Sequence, residues 1–205
     1  MRKIPIAVLA SGRGSNFRAI IEAIKAGSCK AEIKVLITNN ANAKAIEIAK
    51  ENNIHVEIVE RKHFNTREEM DDKIKETVDK YRVELIVLAG YMLLLKGKSL
   101  FESYKNRIIN IHPALLPAFQ GTDAQKQAFE YGVKVSGVTI HFVTEELDAG
   151  PVIYQEAVDI SDCKDAEEVS EKILKTEHKA YPKVIDSFAN GKYVIDGRQV
   201  KYVLV

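Results

Sequence analysis

The sequence predicts an α/β fold around one open sheet, parallel in its amino-terminal half and mixed or antiparallel in its carboxyl-terminal half. In the first half, short apolar runs alternate with helical patterns, which is typical of parallel strands joined by right-handed crossovers. In the second half, VSGVTIHFV reads as a strand with one exposed face and is soon followed by a second strand, VIYQEAV. We therefore expect a Rossmann-like open sheet that continues into an antiparallel part.

The amino-terminal half begins with a buried strand over residues 4–10, the glycine-rich stretch SGRGSN and a helix that ends at Gly27. Three further strands are predicted at EIKVLIT, HVEIVE and ELIVLAG. The helical pattern REEMDDKIKETVDKY has one apolar stripe that would face the sheet. This stripe consists of Met70, Ile74, Val78 and Tyr81.

The carboxyl-terminal half begins with a fifth strand, RIINIH, and the loop PALLPAFQGTD, whose Pro, Gly and aromatic content indicates a site. A helix is expected over residues 123–131, and the two strands of this half flank the acidic turn TEELDAG. A helix over residues 166–188 and a hairpin turning at Asp196-Gly197 follow. The length of 205 residues favours a single domain, residues 1–205, in two contiguous halves, 1–110 and 111–205.

Composition favours a small-molecule ligand. Lys and Arg number 30 against 29 Asp and Glu, for a net charge of +1, so neither nucleic acid nor an anionic membrane is expected as partner. No apolar run approaches the roughly 20 residues of a bilayer helix, and the start lacks a signal-peptide pattern. We expect a cytoplasmic protein, and Cys29 and Cys163, far apart in sequence, indicate neither a disulfide framework nor a zinc knuckle.

The stretch SGRGSN predicts an anion site. Gly12, Arg13 and Gly14 lie between a buried strand and a helix, so unhindered backbone N–H groups and the positive end of the helix converge there. Ser15 and Asn16 either add side-chain donors or simply cap the helix.

The surrounding residues narrow the choice of anion. A dinucleotide fingerprint would have glycine in place of Phe17 and an acid after the second strand, where Thr38 and two asparagines stand. A nucleoside triphosphate loop would have a Lys-Ser or Lys-Thr pair, which is lacking. A phosphate monoester on a sugar fits better.

Asn110 and His112 are two apart at the end of the fifth strand, so their side chains share one face, and Pro113 restricts the backbone of His112. Asp148, in the acidic turn, can fold over the same cleft, whereas Glu145 and Glu146 are expected to face solvent. A carboxylate near His112 would raise the pKa of the imidazole and keep it protonated, while Asn110 donates to a developing oxyanion. These groups suit acyl transfer to an amine without a covalent enzyme intermediate.

Other histidines leave alternatives open. His141 is either a second imidazole of the site or a structural residue. A zinc site of His112, His141 and Asp148 lacks the usual short ligand spacing, so no metal is expected. His55 and His63 are expected at the surface.

Five motifs, SGRGSNFRAI, LAGYM, NIHPALLPAFQG, HFVTEELDAGPVI and TEHKAYP, occur in an order and spacing that closely resembles the folate-dependent formyltransferase family. The start SGRGSN and the length are similar to its branch in purine synthesis. The resemblance implies transfer of a formyl group from 10-formyltetrahydrofolate, a co-substrate, to the amine of glycinamide ribonucleotide. It also implies a formyltransferase fold. The chain is expected to be a monomer or a homodimer, and the sequence does not decide between them.

The resemblance assigns roles to particular residues. Asn110, His112 and Asp148 match the catalytic trio. Residues matching the ribonucleotide site are Gly12, Arg13, Gly14, Ser15, Asn16, Gly90, Met92 and Glu177, the last as a ribose contact. Residues matching the folate site are Met92, Leu93, Leu94, Leu95, Val143, Glu145, Glu146, Leu147 and Asp148.

Four positions depart from the family pattern. Leu93 replaces the usual Arg, Ala114 replaces Ser, Asp123 stands where some relatives have His, and Leu174 where many have Gln. The Leu174 change removes a hydrogen bond expected near the ribonucleotide. The rival activities are a formyltetrahydrofolate deformylase, in which water replaces the amine, a formyltransferase with another acceptor, and a phosphate-ligand sensor without catalysis.

Overall fold

The computed structural model describes residues 2–204 and has one seven-stranded sheet with helices on both faces. The sheet strands are β1 (Ile4–Leu9), β2 (Ala31–Thr38), β3 (His55–Ile58), β4 (Leu85–Leu88), β5 (Ile108–His112), β6 (Val135–Phe142) and β7 (Val152–Asp159). The helices are α1 (Ser15–Lys25), α2 (Ala45–Glu51), α3 (Arg67–Lys80), α4 (Lys98–Ser103), α5 (Ala124–Tyr131) and α6 (Ala166–Asn190). A hairpin of β8 (Gly191–Asp196) and β9 (Gln199–Leu204) follows.

The strand order β3-β2-β1-β4-β5-β6-β7 confirms the predicted sheet. The first five strands run parallel, and β6 and β7 are antiparallel. The direction in which the chain adds strands reverses between β1 and β4, and the carboxyl ends beside such a reversal are where open α/β sheets bind ligands.

Two apolar cores hold the layers together. One lies between the sheet and α1, α2 and α6, where Phe17, Ile20 and Tyr181 are fully buried. The other lies between the opposite face and α3 and α4. Three of the four residues predicted as the α3 stripe are buried there, and Tyr81 is partly buried. The helix packing thus fixes the loops at the carboxyl ends of the strands.

The predicted element boundaries need small corrections. Helix α6 continues two residues beyond the predicted end at residue 188, since apolar packing of Phe188 and Ala189 continues to its end. The first strand ends at Leu9 rather than residue 10. Within residues 2–204, no helix has both the length and the hydropathy that crossing a membrane requires.

Candidate active site

A cleft of about 850 Å³ opens at the carboxyl ends of β1, β4 and β5. It is lined by every predicted site residue except Glu145. The lining residues among them are Gly12, Arg13, Gly14, Ser15, Asn16, Gly90, Met92, Leu93, Leu94, Leu95, Asn110, His112, His141, Val143, Glu146, Leu147, Asp148 and Glu177. Residues far apart in the chain therefore meet in one place.

The glycine turn, residues 11–16, forms one end of the cleft. Gly14 has a φ of +74°, and a Cβ atom there would lie 3.0 Å from the Cβ of Ala45, so only glycine fits without strain. Helix α1 begins directly afterwards at Ser15. Within residues 2–204 no side chain forms a capping hydrogen bond at the start of this helix, so the capping alternative for Ser15 and Asn16 is wrong. The amino end of α1 faces the cleft with its positive dipole.

Asn16 instead contacts Glu177 of α6. Its Nδ2 donates to Oε2 of Glu177 over 3.1 Å, and both side chains are buried. Burial raises the pKa of Glu177 to about 7, although the hydrogen bond from Asn16 acts in the opposite direction. The Oδ1 atom of Asn16 is buried without a hydrogen-bond partner within residues 2–204. This end of the cleft thus contains polar atoms that a ligand can satisfy.

Asn110, His112, His141 and Asp148 form one cluster in the middle of the cleft. Nδ1 of His112 lies 3.4 Å from Oδ2 of Asp148. Nε2 of His141 lies 3.6 Å from Oδ1 of Asp148 and 3.3 Å from Nδ2 of Asn110. Strands β5 and β6 set these positions, because Asn110 pairs directly with His141 in the antiparallel register. Of the two alternatives for His141, the structure places it within the site.

Backbone carbonyls fix both imidazole rings. Nε2 of His112 donates to the carbonyl of Phe119 over 2.8 Å, so its Nδ1 faces Asp148. Nδ1 of His141 donates to the carbonyl of Phe142 over 2.9 Å. Phe119 has a φ of +54° and Asp148 a φ of +49°, a left-handed conformation that costs about 1 kcal/mol or more for a non-glycine residue. Both partners of His112 therefore lie on strained backbone.

The ionisation of the cluster differs from the sequence prediction. Burial lowers the pKa of His112 and outweighs the opposing effects of Asp148 and the Phe119 carbonyl. The expectation that Asp148 keeps His112 protonated is therefore wrong for the unliganded protein. Burial also raises the pKa of Asp148, but the contact with His141, the N–H of Gly121 and the charge interactions with the two histidines together outweigh burial and lower it. At neutral pH the cluster holds a carboxylate beside a neutral imidazole.

Apolar side chains form the other end of the cleft. The 91–97 segment, between β4 and α4, and the acidic loop, residues 143–151, both contribute to it. Met92 is 64% exposed and Leu147 is 52% exposed, although both are apolar. Oγ of Ser11 accepts the N–H of Met92 over 2.9 Å and joins this end to the glycine turn. Exposed apolar side chains at a cleft are typical of a ligand surface.

One predicted site residue of the acidic loop lies outside the cleft lining. Glu145 and Glu146 are exposed, as predicted. Glu145 does not line the cleft, and its backbone carbonyl accepts from Nζ of Lys96 over 3.4 Å. Its assignment to the folate site stays a prediction.

Sequence reasoning missed three residues that position the cluster and the apolar end. They are Ser11, Phe119 through its carbonyl, and Gly121, whose N–H donates to Oδ2 of Asp148 over 2.9 Å. The Pro, Gly and aromatic residues of the loop after β5 were the available signal for the last two. No pattern identified Ser11, because its role depends on a contact with residues 81 positions away.

The departures from the family pattern lie in different surroundings. Leu93, Asp123 and Leu174 line the cleft, whereas Ala114 is buried and its carbonyl accepts from Oγ1 of Thr139 over 2.7 Å.

His55 and His63 are exposed, as expected. Among residues 2–204, no three His, Cys, Asp or Glu side chains are arranged to hold a metal ion.

Residues 4–185 match the family model of formyl transferases. This chain belongs to the formyl transferase family. It is 45% identical to a phosphoribosylglycinamide formyltransferase of Bacillus subtilis over 87% of this chain and 91% of that protein. It is 38% identical to a trifunctional purine biosynthetic protein of Gallus gallus, of which it spans only 19%.

A solved structure agrees with these sequence matches. The crystal structure of glycinamide ribonucleotide transformylase 1 from Symbiobacterium toebii superposes with a TM-score of 0.94 at 40% identity, covering 98% of this chain and 94% of that one. The resemblance inferred from the sequence is confirmed, and with it the predicted fold and the prediction of a formyl-transferring enzyme.

Proposed function

We propose that this chain transfers the formyl group of 10-formyltetrahydrofolate to the amine of glycinamide ribonucleotide, giving formylglycinamide ribonucleotide and tetrahydrofolate in purine synthesis. The observation that carries this proposal is the cluster of Asn110, His112 and Asp148 between an anion-binding turn and an apolar cleft wall. A substrate whose phosphate binds at one end of the cleft and a folate bound at the other end would bring their reacting groups together at this cluster. The Bacillus subtilis relative of similar length carries the same activity in its name.

The ribonucleotide is assigned to the glycine-turn end. Its phosphate would accept N–H groups at the start of α1, where the dipole favours negative charge. Its ribose hydroxyls would donate to the carboxyl group of Glu177 on α6, which also accepts from Asn16. Gly90 and Met92 would border the path from the ribose to the amine.

The folate is assigned to the apolar end. Residues 92–95 and Val143, Glu146 and Leu147 would enclose the pterin, largely through backbone groups and apolar surface. Asp148 belongs to both this wall and the cluster. A folate bound against the wall would therefore hold its formyl group beside His112.

The reaction forms one C–N bond and breaks another. The substrate amine attacks the formyl carbon, and Nδ2 of Asn110 donates to the developing oxyanion. Neutral His112 accepts the proton that the amine loses, and the adjacent carboxylate of Asp148 stabilises the imidazolium. The same proton then passes to N10 of the folate as the C–N10 bond breaks. His112 thus works as base first and acid second.

The test follows folate release by absorbance, with and without glycinamide ribonucleotide. We expect release that requires the ribonucleotide. Release without it would indicate the deformylase, and no release in either case would contradict the proposal and favour another acceptor or a binding protein.

Variants of the cluster test the assigned roles. We expect His112→Ala and Asp148→Asn to lower kcat by about 10² to 10⁴, the usual contribution of general acid–base catalysis, with ribonucleotide binding nearly unchanged. Because neutral His112 is the reacting form, kcat of the wild type should fall with acid through a pKa below 6.5. His63→Ala, which removes an exposed histidine, is the control. Activity near that of the wild type in either variant would refute these roles.

A further inference from the structure

Helix α3 reaches the 91–97 segment, and neither the family motifs nor the cluster accounts for this contact. Asp71 is fully buried, and its Oδ2 accepts the N–H of Gly97 over 2.8 Å and the N–H of Lys96. One turn earlier on the same helix face, the guanidinium of Arg67 donates to the carbonyl of Leu94. Two side chains of α3 therefore hold three backbone groups of one segment.

The segment has few other anchors. It contains no helix or strand between β4 and α4, so its backbone groups have no regular ladder of partners. Its other end is held by Ser11, which accepts the N–H of Met92. The side chains of Tyr91 and Leu95 are buried and fix the direction of the chain. Residues 92–95, which are assigned to the folate wall, thus lie between the point held by Ser11 and the point held by Asp71.

A buried carboxylate is costly unless its hydrogen bonds compensate. Burial raises the pKa of Asp71, and the N–H groups of Lys96 and Gly97 act against burial. Among residues 2–204, no Lys or Arg forms an ion pair with Asp71. The backbone N–H groups of Lys96 and Gly97 stabilise its charge most, and the charge of Arg67 contributes less from a greater distance. Packing alone would favour an apolar residue at this position.

The fit to Gly97 is close. A Cβ atom at Gly97 would lie 2.6 Å from the Cβ of Asp71, so any other residue would push the segment away from the helix. Asp71 can therefore accept the N–H of residue 97 only because that residue, 26 positions away in the chain, is a glycine.

We propose that Asp71 is a positioning residue for folate, because its carboxylate and the adjacent Arg67 hold residues 92–95 in the conformation that binds the pterin. This inference rests on the proposed function. It makes Asp71 act through the segment, without touching either substrate, and it predicts a defect confined to one of the two substrates.

The test compares Asp71→Ala with wild type in steady-state assays with each substrate varied. We expect the KM for 10-formyltetrahydrofolate to rise at least tenfold, with kcat and the KM for glycinamide ribonucleotide changed less than twofold. Asp71→Asn keeps an oxygen that accepts both N–H groups and should recover most of the folate affinity. An equal rise in both KM values, or Asp71→Asn as defective as Asp71→Ala, would overturn the proposal.

Two controls separate positioning from general stability. Asp72→Ala removes the adjacent but exposed carboxylate of α3, and Ile74→Ala removes buried packing from the same helix. Neither should change the folate KM. If Asp71→Ala does not fold, Gly97→Ala displaces the same segment while leaving the carboxylate, and it should also raise the folate KM. An unchanged KM in Gly97→Ala would refute the inference.

Calorimetric titration with tetrahydrofolate, the expected product, distinguishes this inference from the proposed function. Weaker binding in Asp71→Ala supports the inference even if the wild type transfers no formyl group. Equal binding by wild type and Asp71→Ala refutes it even if the wild type is fully active.

Discussion

Replacement of Glu177 by Gln tests the electrostatics of the end of the cleft that is proposed to bind the ribonucleotide. Glu177 is 5% exposed, and the only hydrogen bond of its carboxyl group within residues 2–204 comes from Asn16. Its pKa rises from an ordinary 4.5 to about 7 on folding, so the folded chain holds this proton more tightly than the unfolded chain. Each tenfold change in proton affinity is worth about 1.4 kcal/mol, which makes the coupling about 3 kcal/mol.

The sign follows from linkage. Below pH 4.5 both states are protonated and the stabilising effect of the proton is fully present. As the pH rises through 7, the folded protein must ionise a buried group, and the stabilisation is lost. Glu177→Gln mimics the protonated form at every pH. It should therefore raise the free energy of unfolding by about 3 kcal/mol at pH 8 and change it little at pH 4.5.

Urea unfolding of both proteins between pH 4.5 and 8.5 measures this difference. The control is Glu171→Gln, which neutralises an exposed carboxylate of the same helix and should have no comparable pH dependence. A Glu177→Gln effect of equal size at pH 4.5 and 8 would refute the reasoning. Hydroxyl donors of a bound ribose would stabilise the carboxylate, so ribonucleotide binding near pH 6.5 should release protons in the wild type and release fewer in the variant, as calorimetry in two buffers would detect.

Two further substitutions test the same end of the cleft. Gly14→Ala places a methyl group 3.0 Å from Ala45 at a φ of +74°, and we expect a loss of about 1 to 3 kcal/mol in the free energy of unfolding, with weaker ribonucleotide binding. Gly12→Ala is the control in thermal unfolding, because within residues 2–204 its added Cβ atom would meet no atom within 4 Å apart from its chain neighbours. Equal losses in the two variants would contradict this steric account. Leu174→Gln restores a hydrogen-bonding group beside the assigned ribonucleotide site and should tighten binding about three- to tenfold, the usual worth of one hydrogen bond. Unchanged affinity by calorimetry would show that the departure at this position has no consequence.

The sheet could be predicted from sequence because its signals are local. Buried strands such as β1 and β4 are continuous apolar runs, and glycine turns mark where they end. The rule that ligands bind at the carboxyl ends of such strands then placed Asn110 and His112 in the cleft without any knowledge of packing. Asp148 was found because its turn also carries small residues and proline before the next strand.

The positioning contacts could not be predicted in the same way. The carbonyl of Phe119 and the N–H of Gly121 are backbone groups that every residue possesses, so no residue type reveals them. In the sequence, Asp71 is one of two consecutive acids on a helix rich in charged residues. The ordinary interpretation of such a residue is an exposed side chain in contact with solvent. Only the packing of α3 against the 91–97 segment distinguishes it from exposed Asp72.

The ionisation of His112 shows why proximity alone does not determine a pKa. Asp148 lies 3.4 Å from the ring and does raise the pKa of His112, as sequence reasoning assumed. His112 is also only 4% exposed, and the loss of water around its ring has the larger, opposite effect on the pKa. A neutral imidazole next to a carboxylate cannot donate a proton at the start of the reaction, but it can accept one from the attacking amine. Burial therefore supports the proposed mechanism, in which His112 becomes charged during catalysis and Asp148 stabilises that charge only after it has formed.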